Sequence, residues 1–356
     1  MNYALIMAGG AGTRLWPLSR EKHSKPALSL YSEQSLFQIA IERLYPLFSP
    51  EQILVVASQH HIADLAAQVP EIPQDNYIIE PEMRGTAAAI GLAAIHLAKR
   101  DPDATMAVLT ADHHIGKTEV FRNLVQAGLS FAQKGYIITL GVTPSWPSTD
   151  YGYIEQAEAV GEENGFKAYR AARFVEKPNE KNAQRMLGMG NYSWNSGMFI
   201  WKLSTIMAEF ERQMPDLHGR LGRIADLIGQ ANYAETMPLI WHGIEKQTID
   251  YGVMEHAENV VVIPADMDWL DVGTWLSLKS LLPMDGKGNC AKGDVLLTDS
   301  ENTLIIGNSR IITGIGLKDL IIVDTPDALM VCDMNHAGEV RELVKLLKEQ
   351  GREDLI

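Results

Sequence analysis

Residues 3–30 read YALIMAGGAGTRLWPLSREKHSKPALSL, and this stretch decides the fold. The apolar run over residues 3–8 is typical of a buried strand, and it breaks at once into a glycine-rich turn at residues 9–12. In α/β proteins a strand that leads into such a turn presents backbone N–H groups to a phosphate. Arg14 and Lys25 follow the turn. Backbone donors combined with two cations suit a triphosphate better than a neutral ligand.

Two other phosphate-binding loops do not match this stretch. The dinucleotide fingerprint G-x-G-x-x-G could begin at Gly10, but Leu15 stands where its third glycine belongs. The Walker loop ends in Gly-Lys followed by Ser or Thr, and residues 3–30 contain no such tripeptide. The pattern therefore disfavours an NAD-dependent oxidoreductase.

The composition is that of a globular protein with small-molecule partners. The chain has 356 residues, of which 46% are hydrophobic and 21% charged, and it predicts one large domain and a smaller one. No apolar run approaches the ~18 residues of a membrane span, and no basic segment precedes the first strand, so we expect neither a membrane helix nor a signal peptide. The net charge of −14 disfavours binding to nucleic acid or to an anionic membrane. Cys290 and Cys332 form neither a disulfide framework nor a CxxC zinc motif, which favours the cytoplasm.

Patterns typical of strands and helices alternate over the first 142 residues. Strands are predicted at residues 3–7, 53–57, 77–79, 106–110 and 136–142, and helices at residues 36–45, 62–69, 86–100 and 120–134. This order favours a doubly wound, mostly parallel sheet that is buried on both faces. Ligands of such sheets bind beyond the carboxyl ends of the strands. The glycine turn and Asp112 both follow strand ends, so we expect them at the same edge.

The turn-forming segment PMDGKGN at residues 283–289 predicts a domain boundary. We expect a catalytic domain at residues 1–283 and a small β-helix-like module at residues 284–356, because short β-rich runs follow the segment. An amphipathic helix is predicted at residues 338–351. A β module of this size gains stability by packing on another surface, so we expect it to form a homodimer.

Eight motifs, taken in order, resemble those of the sugar nucleotidyltransferases. They are GGAGTRLWPLS with a following KP (9–26), EPEMRGTA (80–87), TADHHI (110–115), YGYI (151–154), RFVEKP (173–178), WNSGMF (194–199), IDYGVM (249–254) and DWLDVGTW (268–275). The Trp-Pro-Leu-Ser-Arg version of the first motif resembles the mannose-1-phosphate guanylyltransferase branch. The resemblance implies a Rossmann-like mixed sheet with a C-terminal β-helix-like domain. It also implies transfer of GMP from GTP to α-D-mannose 1-phosphate, with release of pyrophosphate and use of Mg²⁺.

The same resemblance implies a set of site residues. Catalysis is assigned to Arg14 and Lys25. Nucleotide binding is assigned to Ala8, Gly9, Gly10, Gly12, Thr13, Arg14, Lys25, Glu80, Arg84, Gly85, Thr86 and Asp112. Sugar-phosphate binding is assigned to Gly152, Tyr153, Glu176, Lys177, Asn195, Gly197 and Asp250. Metal binding is assigned to Asp112 and Asp271, whose hard oxygens suit Mg²⁺.

Some details depart from the family pattern or stay open. Gly85 stands where the family has Asn, while Thr86 and Thr274 are expected to cap helices. Asp250 could contact the sugar or serve as a structural cap. The substrates could instead be another sugar 1-phosphate (manno-heptose or glucose) or another nucleoside triphosphate, and a catalytically inactive regulatory homologue is a further alternative. The isomerase domain of longer family members is not expected.

Overall fold

The computed structural model describes residues 1–10 and 12–356, which pack into two compact units. Unit 1 consists of Met1–Ala8, Ile41–Ala111 and Ile115–Trp269, and unit 2 consists of Gly9–Ala40, Asp112–His114 and Leu270–Ile356. Ala11, inside the predicted phosphate-binding turn, lies outside the described residues. The units follow packing rather than chain order, and the domain boundary near residue 283 stays a prediction.

The strands and helices alternate along most of the chain. In chain order the strands are β1 (Asn2–Met7), β2 (Ile53–Ser58), β3 (Tyr77–Glu80), β4 (Thr105–Thr110), β5 (His113–Ile115), β6 (Ile137–Val142), β7 (Tyr153–Glu163), β8 (Phe166–Val175), β9 (Tyr192–Lys202), β10 (Val260–Ala265), β11 (Trp269–Asp271), β12 (Cys290–Lys292), β13 (Val295–Thr298), β14 (Leu304–Ile306), β15 (Ile312–Ile315), β16 (Leu320–Asp324) and β17 (Leu329–Asp333). The α-helices are α1 (Leu36–Glu42), α2 (Gln59–Gln68), α3 (Thr86–Arg100), α4 (Thr118–Gln133), α5 (Glu180–Met189), α6 (Leu203–Gln213), α7 (Pro215–Leu227), α8 (Tyr233–His242), α9 (Trp275–Leu281) and α10 (Val340–Glu349).

Unit 1 is built on a mixed sheet with the strand order β3-β2-β1-β4-β9-β6-β10-β8-β7. The first four of these strands are parallel, and their apolar side chains are almost all buried, as expected for strands covered on both faces. β1 and β4 are neighbours with Met7 opposite Thr110, which confirms that the segments following them leave the same edge of the sheet. Helices α3, α6, α7 and α8 pack together in one apolar cluster with strands of this sheet.

Unit 2 contains the predicted β-helix-like module. Strands β12, β14 and β16 form one parallel stack, β13 and β15 form a second, and β17 closes the first stack by antiparallel pairing with β16. The chain alternates between the two stacks, which is the path of a short parallel β-coil. Its apolar core includes Leu15 and Trp16 from the opening stretch together with Val340 and Val344 from α10. The segment that follows the glycine turn therefore shares a core with the end of the chain.

Most of the predicted elements are confirmed. Helix α3 begins and ends at the predicted residues, and Thr274 caps helix α9 as expected, accepting a hydrogen bond from Ser277 N. The mixed sheet that the resemblance implies is confirmed, whereas the expectation of a mostly parallel sheet is wrong, because β9 inserts between β4 and β6 and pairs antiparallel with both. Helix α8 was not predicted, and Pro238 lies inside it. Among the described residues, no helix is both long and apolar enough to cross a membrane.

Candidate active site

The glycine-rich turn after β1 adopts backbone conformations that favour glycine. Gly10 has a φ of +111° and Gly12 a φ of +59°. A Cβ on Gly12 would lie 2.7 Å from Lys25 Cβ, so a side chain there would displace the lysine. Ser19 Oγ donates a hydrogen bond to Gly12 O, and Thr13–Leu15 form a single 3₁₀ turn directly afterwards. The backbone of this turn can therefore approach a ligand closely.

Lys25 lies between two carboxylates. Its Nζ is 2.7 Å from Asp112 Oδ2 and 3.6 Å from Asp271 Oδ1, and the lysine is only 5% exposed. Burial acts to raise the pKa of Asp112, but the Lys25 ammonium and His113 outweigh it and hold that pKa below its usual range. Asp112 therefore stays ionised near neutral pH, and about a third of each aspartate side chain faces solvent. Residues that lie far apart in the sequence thus form one charged cluster.

This cluster borders a cavity of about 350 Å³ in unit 2. The cavity is lined by Gly9, Gly10, Gly12, Thr13, Arg14, Lys25, Pro26, Asp112, Asp271, Gly273 and Arg341. Most of the predicted phosphate-binding and metal-binding residues are therefore brought together. Ala8 is not among the lining residues; it is buried, and its N–H donates to Val56 O at 3.0 Å.

The two carboxylates suit a divalent cation. Asp112 and Asp271 already hold one cation, the ammonium of Lys25, between them. Carboxylate oxygens are the ligands that hard divalent ions prefer, and Mg²⁺ often takes one or two of them and completes its shell with water and phosphate oxygens. Among the described residues no group of three or more His, Cys, Asp or Glu could hold a metal ion.

The predicted nucleoside segment begins with a buried carboxyl group. Glu80 is 5% exposed, and its Oε1 accepts a hydrogen bond of 2.8 Å from the N–H of Arg84. Burial raises the pKa of Glu80 more than this hydrogen bond lowers it. The guanidinium of Arg84 is paired with Glu82, which also contacts His242 Nδ1 at 2.9 Å. Glu80 therefore holds the turn together, and Arg84 is already engaged at its rim.

Gly85 explains one departure from the family pattern. Its φ is +88°, and a Cβ at this position would lie 2.2 Å from Gln247 O. The asparagine of the family could not enter this backbone without moving residue 247. The expectation that Thr86 caps α3 is wrong, because Gly85 is the N-cap and Thr86 is the first helical residue. Thr86 Oγ1 instead accepts a hydrogen bond of 2.8 Å from the N–H of Ile249.

The predicted sugar-binding residues form a hydrogen-bonded set in unit 1. Asn195 Nδ2 donates to Asp250 Oδ1 at 2.8 Å, Asn195 Oδ1 accepts from Gly197 N at 3.1 Å, and Asn195 N donates to Gly152 O at 2.8 Å. Burial raises the pKa of Asp250, and the hydrogen bond from Asn195 opposes this only in part. Tyr153 is fully buried, its hydroxyl donates to a backbone carbonyl at 3.0 Å, and its backbone lies between two paired strands, so the structure does not present it to a ligand.

Glu176 and Lys177 follow the end of β8 at Val175. Lys177 has a φ of +42°, and its Nζ lies 2.8 Å from Glu176 Oε1 while its side chain is 60% exposed. A Cβ on Gly152 would lie 2.5 Å from Glu176 Oε2, so glycine leaves the space that this carboxylate occupies. The ion pair stands at a strand end, where successive side chains can face the same side.

An aromatic cluster beside this set was not predicted from the sequence. The rings of Trp146 and Tyr151 lie 4.5 Å and 5.1 Å from Trp194, and Tyr151 lies 5.0 Å from Trp269. Three of these residues stand in or next to recognised motifs, and that position was the available signal. Arg341 was also missed, because an exposed arginine on an amphipathic helix gives no signal in the sequence.

Two family models cover most of the chain. One, described as nucleotidyl transferase, matches residues 3–285. The other, described as the MannoseP isomerase/GMP-like beta-helix domain, matches residues 293–347 and confirms the predicted character of the C-terminal module.

Curated relatives show which branch of the nucleotidyltransferases this chain resembles. A mannose-1-phosphate guanylyltransferase of Escherichia coli K12 is 34% identical over 99% of this chain and 74% of its own length. A protein of the same description from Klebsiella pneumoniae is 35% identical over 98% of this chain and 74% of its own length. The chain belongs to the mannose-1-phosphate guanylyltransferase family. The motif resemblance is thereby confirmed, and this family member is a nucleotidyltransferase enzyme.

A solved structure agrees with this family assignment. A Thermus thermophilus protein described as a mannose-1-phosphate geranyltransferase superposes with a TM-score of 0.85. It is 34% identical over 98% of this chain and 99% of its own. The match therefore extends over both the sheet of unit 1 and the β-coil of unit 2.

Proposed function

We propose that this protein transfers GMP from GTP to α-D-mannose 1-phosphate, giving GDP-mannose and pyrophosphate. The observation that carries the proposal is the buried Lys25 between Asp112 and Asp271, beside a glycine turn with backbone conformations open to a phosphate. Backbone N–H groups and a lysine suit a polyphosphate, and the two carboxylates suit a divalent metal ion beside it. The family membership supplies the substrate pair.

The triphosphate half of the reaction belongs to the cavity in unit 2. Backbone groups of Gly9, Gly10, Gly12 and Thr13 would receive phosphate oxygens, and Arg14 would bind the β- and γ-phosphates. Lys25 would neutralise charge that develops at the α-phosphate. Phosphoryl and nucleotidyl transfers require little covalent chemistry from the protein, so positioning and electrostatic stabilisation provide most of the rate.

We propose Mg²⁺ as the metal ion, held by the carboxylates of Asp112 and Asp271. When bound, the ion would supply positive charge to the phosphate oxygens of the substrates. The same carboxylates hold Lys25 in place. They therefore orient the lysine as well as bind the metal.

The sugar 1-phosphate would be bound by residues of unit 1. Lys177, at 60% exposure, would hold its phosphate, while Glu176, Asn195 and Asp250 would accept or donate hydrogen bonds to the sugar hydroxyls. A phosphate monoester is already anionic near neutral pH, so the attack on the α-phosphorus requires no general base. His113 accordingly receives no catalytic role.

The nucleoside would contact the segment from Glu80 to Thr86. Gly85 has no side chain, so its contribution is limited to the backbone, and Arg84 is the cation of this segment. Because Thr86 Oγ1 already accepts from Ile249 N, it would position the segment rather than bind the base.

We also propose that the enzyme acts in the cytoplasm as a homodimer through residues 284–356. The two cysteines are free thiols, as expected in a reducing compartment. Leu296 and Ile315, on the paired strands β13 and β15, are 62% and 79% exposed, and association through this face would bury them. Light scattering at micromolar concentration is expected to give the mass of a dimer, and the mass of a monomer would contradict the proposal.

Pyrophosphate release tests the reaction most directly. The purified protein would be given each of several nucleoside triphosphates with mannose, glucose or manno-heptose 1-phosphate. GTP with mannose 1-phosphate is expected to give the highest kcat/KM. A different preferred pair would replace the substrates and keep the reaction, whereas nucleotide binding without turnover would favour a regulatory protein.

Replacing Asp112 by Asn tests the metal site. Loss of one ionised ligand is expected to abolish Mg²⁺-dependent turnover and to weaken binding of Mn²⁺, measured by electron paramagnetic resonance. The matched control is Asp103→Asn, which changes an exposed carboxylate of unit 1. Turnover with an unchanged metal dependence in Asp112→Asn would remove the assigned role.

A further inference from the structure

The phosphate cavity of unit 2 is lined by a third cation that the proposed mechanism has not used. Besides Arg14 and Lys25, the lining includes Arg341, which is the second residue of helix α10. We infer that Arg341 binds the distal phosphates of the nucleoside triphosphate, and hence the pyrophosphate product. This inference rests on the proposed function for the identity of the ligand. It gives the C-terminal module a role in substrate binding in addition to association.

Packing fixes the start of α10 beside the glycine turn. Val340 is 1% exposed and Val344 is 8% exposed, and both belong to the same apolar cluster as Leu15 and Trp16. Helix α10 also contacts the 3₁₀ turn at Thr13–Leu15, which directly follows the glycine residues. Because Arg341 stands next to the buried Val340, its backbone position is set by this contact.

Polar contacts hold the same segment to the module. Trp16 Nε1 donates to Leu355 O at 2.7 Å in a buried hydrogen bond. Arg20 forms a two-pronged pair with Asp327, with N···O distances of 2.5 Å and 2.6 Å. Several contacts thus join the segment after the glycine turn to the C-terminal module, and they fix the backbone of Arg341 at the cavity.

The guanidinium of Arg341 is available for a ligand. Its Nε lies 3.4 Å from Glu342 Oε1, and this ion pair is more than half exposed on the arginine side. An exposed pair of this kind contributes little to stability. Lys345 Nζ, at 3.0 Å and 2.9 Å, already satisfies both oxygens of Glu342. Within residues 1–10 and 12–356 no hydrogen bond engages the Nη groups of Arg341, so its donor fork can meet phosphate oxygens.

The charges of the cavity indicate which phosphates Arg341 would bind. Lys25 is held by Asp112 and Asp271, and the proposed function assigns that part of the cavity to the metal ion and the α-phosphate. The two aspartates also repel a polyphosphate, and the whole chain carries a net charge of −14. The distal phosphates therefore need cations of their own, and Arg14 and Arg341 are the arginines that line the cavity.

Binding of ligands that differ in their number of phosphates tests the inference. Binding of GMP, GDP, GTP and inorganic pyrophosphate would be measured by isothermal titration calorimetry with wild type, Arg341→Ala, Arg341→Lys and Lys348→Ala. Arg341→Ala is expected to weaken GTP and pyrophosphate about tenfold, a free-energy change of ~1.4 kcal/mol, and to leave GMP unchanged. Arg341→Lys keeps the positive charge but loses the two-pronged guanidinium, so its affinity for GTP and pyrophosphate is expected to lie between those of wild type and Arg341→Ala. Lys348→Ala, two turns along the same helix, exposed and outside the cavity lining, should match wild type.

Steady-state kinetics give a second readout. Arg341→Ala should raise the KM for GTP and leave the KM for mannose 1-phosphate unchanged, with an unaltered melting temperature. Equal losses for GMP and GTP, or wild-type GTP affinity in Arg341→Ala, would overturn the inference. If wild type makes no GDP-mannose but the binding series gives the expected differences, the proposed substrates are wrong and the inference about Arg341 is supported. If wild type binds neither GTP nor pyrophosphate, both the proposed function and the inference are wrong.

Discussion

Carboxyl pKa values shift in opposite directions in the phosphate cavity of unit 2 and in the proposed sugar and nucleoside segments of unit 1. In the cavity, Lys25 holds the pKa of Asp112 below its usual range even though burial acts in the other direction. In unit 1, burial dominates, because it raises the pKa of both Glu80 and Asp250 despite their hydrogen bonds. Asp112 thus keeps its charge, whereas the raised pKa values of Glu80 and Asp250 favour their neutral forms.

This difference fits the ligands proposed above for each region. A polyphosphate and a divalent metal ion require fixed charges, which act most strongly where charge develops in the transition state. A sugar or a nucleoside is recognised by hydrogen bonds whose directions matter more than their charge. Changes in the cavity should therefore reduce turnover, whereas changes in unit 1 should reduce affinity or stability.

Lys25→Ala should give the largest effect. Removing the ammonium takes away the proposed stabilisation at the α-phosphate and leaves Asp112 and Asp271 without their shared cation. Loss of one such stabilising group typically lowers kcat by about 10²–10³-fold. Steady-state rates of pyrophosphate release measure it. Lys22→Ala, which removes an exposed lysine of the same stretch, is the control and should retain wild-type turnover. A Lys25→Ala enzyme that kept its kcat and lost only affinity would erase the contrast between the two regions.

Gly85→Asn restores the family residue and should destabilise this chain. The φ of +88° and the 2.2 Å approach to Gln247 O leave no room for a side chain without a backbone shift. We expect a loss of about 2 kcal/mol in the free energy of unfolding. Urea denaturation measures the change, and Gly219→Asn, in a helix with open space around the glycine, is the control. An unchanged stability together with tighter GTP binding would show that the segment adapts to the asparagine.

The sequence predicted the local elements and the charged cluster better than the assembly of the sheet. Strand β1, the glycine turn and Asp112 were readable because hydrophobic runs and turn residues act locally. The antiparallel insertion of β9 depends on pairing between distant segments, which no local pattern encodes. Helix α8 was hidden by Pro238, whose usual effect is to interrupt a helix.

The site residues followed the same rule. Lys25, Asp112 and Asp271 stand in short motifs, and the structure brings both aspartates within 3.6 Å of the lysine ammonium. Arg341 has no motif around it. Its place in the cavity comes from the packing of Val340 and Val344 in one cluster with Trp16, which only the folded chain shows.

Glu176→Ala should separate affinity from turnover. The carboxylate pairs with Lys177 and lies beside the backbone of Gly152, so its loss should weaken the hold on the sugar 1-phosphate. We expect the KM for mannose 1-phosphate to rise about tenfold, a change of ~1.4 kcal/mol, with kcat and the KM for GTP nearly unchanged. Glu180→Ala, an exposed carboxylate at the start of α5, is the control. A fall in kcat at unchanged KM would place Glu176 among the residues that act on the transition state.

The smallest expected effect tests whether burial also governs a cationic group of unit 1. Burial, reinforced by the charge of Arg100, lowers the pKa of His96 from 6.5 to about 4, and His96 Nε2 lies 2.9 Å from Tyr233 OH. Between these two pKa values the unfolded chain binds more protons than the folded one. The contribution of neutral His96 to the free energy of unfolding is therefore fully present above pH 6.5 and is lost as the pH drops toward 4.

His96→Gln removes the titrating group and can keep a hydrogen-bonding partner for Tyr233. This variant should lose stability more slowly than wild type over that pH range, with a difference of about 1 kcal/mol in urea denaturation. His60→Gln, at an exposed position, should follow the wild-type curve. If His96→Gln and wild type lose stability in parallel, His96 is not held neutral by burial. The contrast between the two regions would then apply only to their carboxyl groups.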